Sequence, residues 1–444
     1  MSNKIQHTRT TQAPVQAKKA VQASKATTQQ PEVKKPEADQ VQLSEAVQKE
    51  QQKRQLSMDQ LKKDPAAYQA YERLSAEQRE KYSQLSVKTM KDGDVDANPR
   101  LRELLTNGKL TQVDKDNVST LDHLDKLSNS PRNPKLDQQQ VLNETVDQIA
   151  DPGKIHQSGR GTCAPTSMEY RLASESPAEY ARLAEGLTSS EGQLVARDGS
   201  TLKTNQSSLT ADNTDRSSVS RVIQSSLMDH VAPEGQRYDN NVPQMKDGKQ
   251  VGTGGFVQNS DGKQVGDGMS DEQMKQTWKT LSGENPDAVS LNDKSSEFER
   301  QITRDRIERD LAEGRKVNVS LEWQAPGGEH GRHALTVERQ DEEYVYLRNP
   351  WGKDEQGQKD SADRLLVDNE GMIKMKKEDF YKRVTLSQTR EEGTLETVYQ
   401  QHKAGVQVVG NSLSRGFDRL RQAYNQQAEW QQSNPWLAGI NAVA

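Results

Sequence analysis

The sequence predicts an α+β protein: a mainly helical part that carries the only cysteine, and an antiparallel β part that carries a matching histidine and asparagine. Three observations predict this. Helix start and stop signals dominate the chain up to about residue 314, interrupted by short hairpin patterns. Period-two alternation takes over from Val317. Between loop and helix in the first part lies Gln157-Ser-Gly-Arg-Gly-Thr-Cys163-Ala-Pro, a stretch suited to holding a nucleophile.

Composition bounds the rest. The length of 444 residues allows two or three domains. Only 31% of residues are apolar and 29% are charged, against about 45–50% and about 25% in ordinary globular domains. A large part of the chain is therefore expected to lack a dense core. The net charge of −5 comes from 61 basic and 66 acidic side chains, a near balance that gives no reason to expect a nucleic-acid partner. No run of about 18 apolar residues exists, so no membrane-spanning helix is expected. The N-terminus lacks the apolar core of a cleavable signal peptide. The expected location is the cytoplasm at synthesis, with export only by a route that needs no such signal. A single cysteine cannot form an internal disulfide and makes a poor zinc site, so no metal or other cofactor is expected.

Residues 1–38 are rich in Gln, Thr, Lys and Ala and read as a disordered, locally basic tail. Residues 39–135 read as a polar helical region. Asp64-Pro65 is a cap with Pro at the first helical position, Ser75-Ala-Glu-Gln78 is a capping box, and Asn98-Pro99 to Asn107-Gly108 bounds another helix. A helix over roughly 136–149 delivers the chain to Gln157. After Cys163, Ser176-Pro177-Ala-Glu179 reads as a second capping box, opening a helix with Tyr180, Leu183 and Leu187 on one face. Asp198-Gly199 is a hairpin turn. Asp247-Gly-Lys-Gln-Val-Gly252 recurs at Asp261–Gly266 and reads as a flexible insertion. The spacing of Asp247, Asp261 and Asp267 is not that of an EF-hand loop, so a plain loop is expected there rather than a calcium site.

Helices are predicted from Ser270 to Leu281 and over roughly 295–314. Strands follow at Val317–Leu321, His333–Arg339 and Tyr344–Arg348, with Asn349-Pro-Trp-Gly352 closing the last pair. Then come Arg364-Leu-Leu-Val, Met372-Ile-Lys-Met, a short helix at 377–382 and Val384-Thr-Leu. The extension 392–444 carries Val406, Val409, Leu413, Phe417, Leu420 and Tyr424 at amphipathic helical spacing. The N- and C-terminal helices are candidate docking elements for a partner protein.

The chemistry centres on Cys163. Pro165, Met168 and Leu172 mark it as a helix start, where unpaired N–H groups and the macrodipole favour thiolate over thiol. Gly159 and Gly161 permit a tight approach loop. A lone cysteine is more often a small core residue, so the partners decide. Among His7, His123, His156, His230, His330, His333 and His402, His333 begins a strand, and adjacent strands can bring Asn349 beside it. His330 is the rival base.

Gln157, Cys163, His333-Ala334 and Asn349-Pro-Trp-Gly352 occur in the order found in calpain-like cysteine peptidases, which the chain resembles over roughly 150–390; papain-like enzymes are similar more loosely. Gly371-Met-Ile-Lys-Met and Glu-Asp-Phe380 also look like the calpain protease core. The resemblance implies a papain-like two-lobed domain over 136–391. It implies that Cys163 is the nucleophile, His333 the base, Asn349 its orienting group, Gln157 an oxyanion-hole donor and Trp351 a shield over the His–Asn bond. One departure is Ala164-Pro165, where the family has an aromatic residue after the cysteine. No EF-hand domain is visible. A protein or peptide substrate is implied. Two rivals stand beside this reading: transglutaminase- or deamidase-type acyl transfer on the same scaffold, and a non-catalytic interaction scaffold.

Overall fold

Side-chain caps set most of the helix starts. A computed structural model describes residues 37–90, 99–266, 268–324, 330–352, 365–368 and 371–390. The expected N-terminal tail up to residue 36 and the amphipathic segment beyond 390 lie outside the described residues. The chain divides into two units, Met1–Gln51 and Gln52–Ala444. The described part of the first is helical and belongs to α1 (Glu37–Lys63).

In the second unit α2 (Pro65–Glu72) is capped by the Asp64 carboxylate, which accepts from the Ala66 and Ala67 N–H groups. The box at Ser75 and Gln78 opens α3 (Ala76–Thr89). Helix α4 (Pro99–Thr106) is followed by Gly108 in the left-handed region, φ 77°. Ser119 and Asp122 box the start of α5 (Thr120–Asn129), and Asp137 caps α6 (Gln138–Ala150). Next come α7 (Cys163–Glu175) and α8 (Pro177–Thr188). The capping box expected at Ser176 is absent, because Ser176 makes no side-chain cap. The carboxylate of Glu179 is instead drawn to Arg182 and Arg197.

Strands β1 (Gln193–Val195) and β2 (Thr201–Lys203) pair around the expected Asp198-Gly199 turn, with Gly199 at φ 83°. Helix α9 (Ser218–His230) follows. The insertion expected to be flexible is an antiparallel sheet of β3 (Gln236–Lys246), β4 (Lys249–Asn259) and β5 (Gln264–Gly266). Both repeated Asp-Gly pairs are its turns, with Gly248 at φ 73° and Gly262 at φ 79°. Asp267 lies outside the described residues.

The remaining elements are α10 (Asp271–Ser282), β6 (Asp287–Ser290), α11 (Glu297–Ala312), β7 (Val317–Gln324), β8 (His330–Gln340), β9 (Tyr344–Arg348), β10 (Leu365–Leu366), β11 (Met372–Lys376), α12 (Lys377–Arg383) and β12 (Val384–Thr389). Seven strands form one antiparallel sheet in the order β10-β11-β9-β8-β7-β12-β6. The architecture is α+β. Among the described residues no helix is long and apolar enough to cross a membrane.

Alternation along β7 to β9 assigns the two faces of this sheet. Val319, Leu321, Trp323, Leu335, Val337, Val345 and Leu347 join Ile373 and Phe380 in one apolar cluster. Ala334 and Leu386 belong to the other cluster, which is built on the helices. That second cluster runs from Leu61, Leu85, Leu104 and Leu124 through Met168 and Tyr180 to Val222 and Trp278. The boundary expected near residue 136 is therefore not a packing boundary: α2 to α5 share one core with the helix that starts at Cys163. The sparse apolar residues suffice because nearly every one is placed inward. Leu121, Leu124 and Leu127 of α5, for example, are all fully buried.

Candidate active site

Cys163 is the first residue of α7, is half-buried, and packs at the edge of the helical core. Thr162 precedes it at the capping position but makes no side-chain cap to the helix. Its hydroxyl turns instead to Gln224 Oε1, 3.0 Å away. The thiol thus lies at a helix N-terminus whose first turn is not capped by Thr162, an arrangement that favours negative charge. The tight approach loop takes its left-handed residue at Ser158, φ 50°, beside Gly159. Gln157 is buried, and its side-chain Nε2 donates to the Arg160 carbonyl. That bond fixes which end of the amide is nitrogen and uses one of its two N–H groups.

His333 lies three residues inside β8, not at its start as expected. Its ring is buried, and Nε2 lies 2.8 Å from Asn349 Oδ1. Asn349 is fully buried and doubly held. Its N–H donates to the Gly371 carbonyl at 2.8 Å, and its Oδ1 also accepts from the Trp351 N–H at 3.2 Å. Gly371, at φ 100°, is required there, since a Cβ would come within 2.6 Å of the Asn349 carbonyl oxygen. Two indoles enclose the imidazole: Trp351 with ring centroids 4.7 Å apart and Trp323 at 5.0 Å. The two indoles meet each other edge-on at 5.9 Å. The rival base, His330, has a side chain outside the described residues.

Two sets of contacts bring these pieces together. The first is between α7 and β8. Ser167 Oγ donates to the Ala334 carbonyl at 3.1 Å, Thr336 Oγ1 donates to the Ser167 carbonyl at 2.9 Å, and further along the Tyr170 hydroxyl meets Glu338. Helix and strand therefore run in the same direction. One turn back from Ser167, about 6 Å along the axis, is Cys163. An equal step along the strand, about two residues, returns to the level of His333. The second set joins the nucleophile loop to the turn after β9. The Gln157 N–H donates to the Pro350 carbonyl at 2.7 Å, Arg348 donates to the Gly153 carbonyl, and Gly352 packs so closely that a Cβ would stand 2.7 Å from His156 Cβ.

Behind Cys163 lies a buried polar network that sequence reasoning missed. Glu169, on the next turns of α7, is fully enclosed and accepts from Ser220 Oγ at 2.8 Å and from Gln224 Nε2 at 2.9 Å. Burial pushes its carboxyl up to about 7, against the hydrogen bonds from Gln224, Ser220 and Tyr180. Arg216 donates to Gln224 Oε1 and Asn240 Oδ1 and pairs with Asp212. Burial works to raise Asp212, but the Arg216 guanidinium and hydrogen bonds from Asn240 and Thr214 outweigh it and hold the carboxyl well below its usual range. Arg160, whose backbone receives Gln157, donates from its side chain to the Asn240 and Asp212 carbonyls. The β3–β4 hairpin closes over it. A Cβ on Gly255 would lie 3.2 Å from Arg160 Cδ and would clash outright with the Tyr238 ring. The signal for this network was the density of Ser, Asn and Gln in a segment with helical apolar spacing at Val219, Val222 and Ile223. Trp323 was missed because the strand was read to end at Leu321, one alternation short of it.

A cavity of about 470 Å³ adjoins this region, lined in part by Glu144, His156, Asp215, Arg216 and Gly352. Among the described residues no group of three or more His, Cys, Asp or Glu is arranged to hold a metal ion.

No family model matches the chain, and no curated protein matches it. Among solved structures the chain is similar to one described as a "putative C39-like peptidase from Bacillus anthracis", at 19% identity, over 37% of this chain and 80% of that one, with a TM-score of 0.18. A likeness at that score carries no argument, and the functional reading rests on the geometry.

Proposed function

We propose that this protein is a cysteine peptidase with a papain-like two-lobed core, in which Cys163, His333 and Asn349 form the catalytic triad. The observation that carries the reading is the His333–Asn349 hydrogen bond of 2.8 Å, enclosed by Trp351 and Trp323, on the strand packed against the helix that Cys163 begins. A histidine oriented by a buried amide and sheathed in indole is costly to bury for structural reasons alone. It is the arrangement a general base needs.

In this mechanism the Asn349 oxygen accepts from Nε2–H and fixes the tautomer, which directs Nδ1 to the thiol. His333 takes the Cys163 proton, and the sulfur attacks the substrate carbonyl. The Cys163 N–H and the second N–H of the Gln157 amide bind the oxyanion. His333 then protonates the leaving amine as the C–N bond breaks, giving a thioester. Water, deprotonated by the same imidazole, hydrolyses the thioester and restores the thiol.

The test is a peptide-library digest by the full-length protein, with new N-termini mapped and ammonia measured in parallel. Cleavage by wild-type protein, lost by about 10⁴-fold or more in both Cys163→Ala and His333→Ala, is the expected result. Ammonia release without new termini would transfer the reading to the deamidase class. Full activity in Cys163→Ala would end it.

A further inference from the structure

We propose that Gln224 is the positioning residue of the oxyanion-binding loop, acting as a clamp across both of its ends. The clamp itself is a structural statement, and its effect on turnover rests on the peptidase reading above. Gln224 lies on α9, is fully buried, and makes the four hydrogen bonds an amide can make. Its Oε1 accepts from Thr162 Oγ1 and from Arg216 Nη1, each at 3.0 Å. Its Nε2 donates to the His156 carbonyl at 3.1 Å and to Glu169 Oε2 at 2.9 Å. The amide orientation follows from its partners, since a carbonyl and a carboxylate require donors while a guanidinium requires an acceptor.

The two loop positions it holds are informative. His156 immediately precedes Gln157, and Thr162 immediately precedes Cys163. One side chain therefore fixes the spacing of the residues that supply the two oxyanion donors. Glu169 ties the same amide to α7, and Arg216 ties it to Asp212 and Asn240. Among side chains of this length only a neutral amide offers both two donors and two acceptors. Glutamate at 224 would set a carboxylate against the Glu169 carboxylate and the His156 carbonyl. Methionine would fill the space and make none of the bonds.

A clamp on oxyanion geometry differs in its kinetics from a residue that only fills the core. Peptide hydrolysis passes through a tetrahedral oxyanion and needs both donors in place. Alkylation by iodoacetamide does not: the thiolate sulfur bonds the methylene carbon, iodide leaves, and no charge develops on the carbonyl oxygen. Loosening the clamp should slow the first reaction and spare the second.

The experiment uses the full chain and two variants, Gln224→Met and the exchange Glu169→Gln with Gln224→Glu. The exchange lets the new amide at 169 donate to the new carboxylate at 224 and keeps acceptors for Thr162 and Arg216, while the atom facing the His156 carbonyl changes from a donor to a carboxylate oxygen. Both are expected to lose about 10²–10³ in kcat, as on removal of an oxyanion donor. KM should stay within about threefold and Cys163 alkylation within about twofold of wild type. Amide hydrogen exchange of the 157–163 segment should quicken in both. Wild-type kcat in either folded variant overturns the proposal, as does an equal fall in kcat and alkylation, which would report general collapse of the site. If Gln224→Met does not fold, the exchange variant decides. If the wild-type protein cleaves nothing, the peptidase reading fails on its own, and the exchange rates of 157–163 still decide the clamp: unchanged rates overturn it.

Discussion

The helical side and the sheet side of the candidate site hold their functional side chains by different physics. Around Cys163 the work is done by directional bonds between buried polar groups: Thr162, Glu169, Arg216 and Gln224 within one network. Around His333 it is done mainly by ring packing, together with the side-chain bond to Asn349. The difference matters for how each side fails. A polar network sets orientation sharply, but removing one member strands its partners, at about 1–3 kcal/mol for each buried group left unmatched. An aromatic enclosure depends on area, so it tolerates a smaller ring and fails when the ring is removed.

The largest expected effect tests whether the helical side stands without its first helices. A chain beginning at residue 136 lacks Leu61, Leu74, Leu85, Leu101, Leu104, Leu121, Leu124 and Leu127, all buried. Each buried leucine lost costs about 2–5 kcal/mol, and a domain has only about 5–15 kcal/mol to lose. Circular dichroism should show no cooperative melt for that chain and a normal one for a chain beginning at Gln52. A sharp melt from the shorter chain would show that the sheet side and α6 to α9 suffice, and would restore the earlier helices to a separable role.

On the sheet side, Trp323→Ala should cost about 3–5 kcal/mol in urea unfolding, while Trp323→Phe should retain most of the stability. If both substitutions cost the same, the indole N–H rather than ring area is what matters, and the contrast with the polar side narrows.

The smallest effect is a pH dependence seated in the network. The Glu169 carboxyl is raised from 4.5 to about 7 in the folded chain. The folded state then holds more protons than the unfolded state between those values. This group's contribution is fully present below about pH 4.5 and is lost as pH rises to about 7, in total about 3 kcal/mol. Asp212, held low, does the opposite in more acidic solution, where its stabilisation is lost as pH falls. Denaturant melts at pH 5 and pH 8 should show the Glu169 slope in wild type and not in Glu169→Gln. Equal slopes would place the pH dependence elsewhere.

Much of the fold was legible because its signals are local. Ser75-Ala-Glu-Gln78 boxes its helix as written, and the turn after Tyr344–Arg348 brings Asn349 to His333 across adjacent strands. What was hidden depends on burial of polar residues. Helix α9 has apolar spacing, yet its polar residues Ser220, Gln224, Ser225 and Ser226 are also buried, which apolar spacing alone does not signal. The same sparseness of apolar residues made 39–135 read as a polar helical region apart from 136–391, without showing what its leucines pack on. It also made Asp247-Gly to Val265-Gly266 look like a loose insertion, although its strands close over Arg160. Ser176-Pro-Ala-Glu179 misled for another reason: Arg197, distant in sequence, takes the carboxylate that a capping box would use.

The two indoles around His333 have an optical consequence. The sequence holds 5 tryptophans, and Trp323 and Trp351 lie in ring contact with the imidazole, whereas Trp278 sits under the permanently charged Arg171. A cationic ring against an indole draws on its π electrons in a way a neutral ring does not. A change of charge on the ring they enclose would therefore alter the ultraviolet emission of these two residues, read without label, inhibitor or substrate.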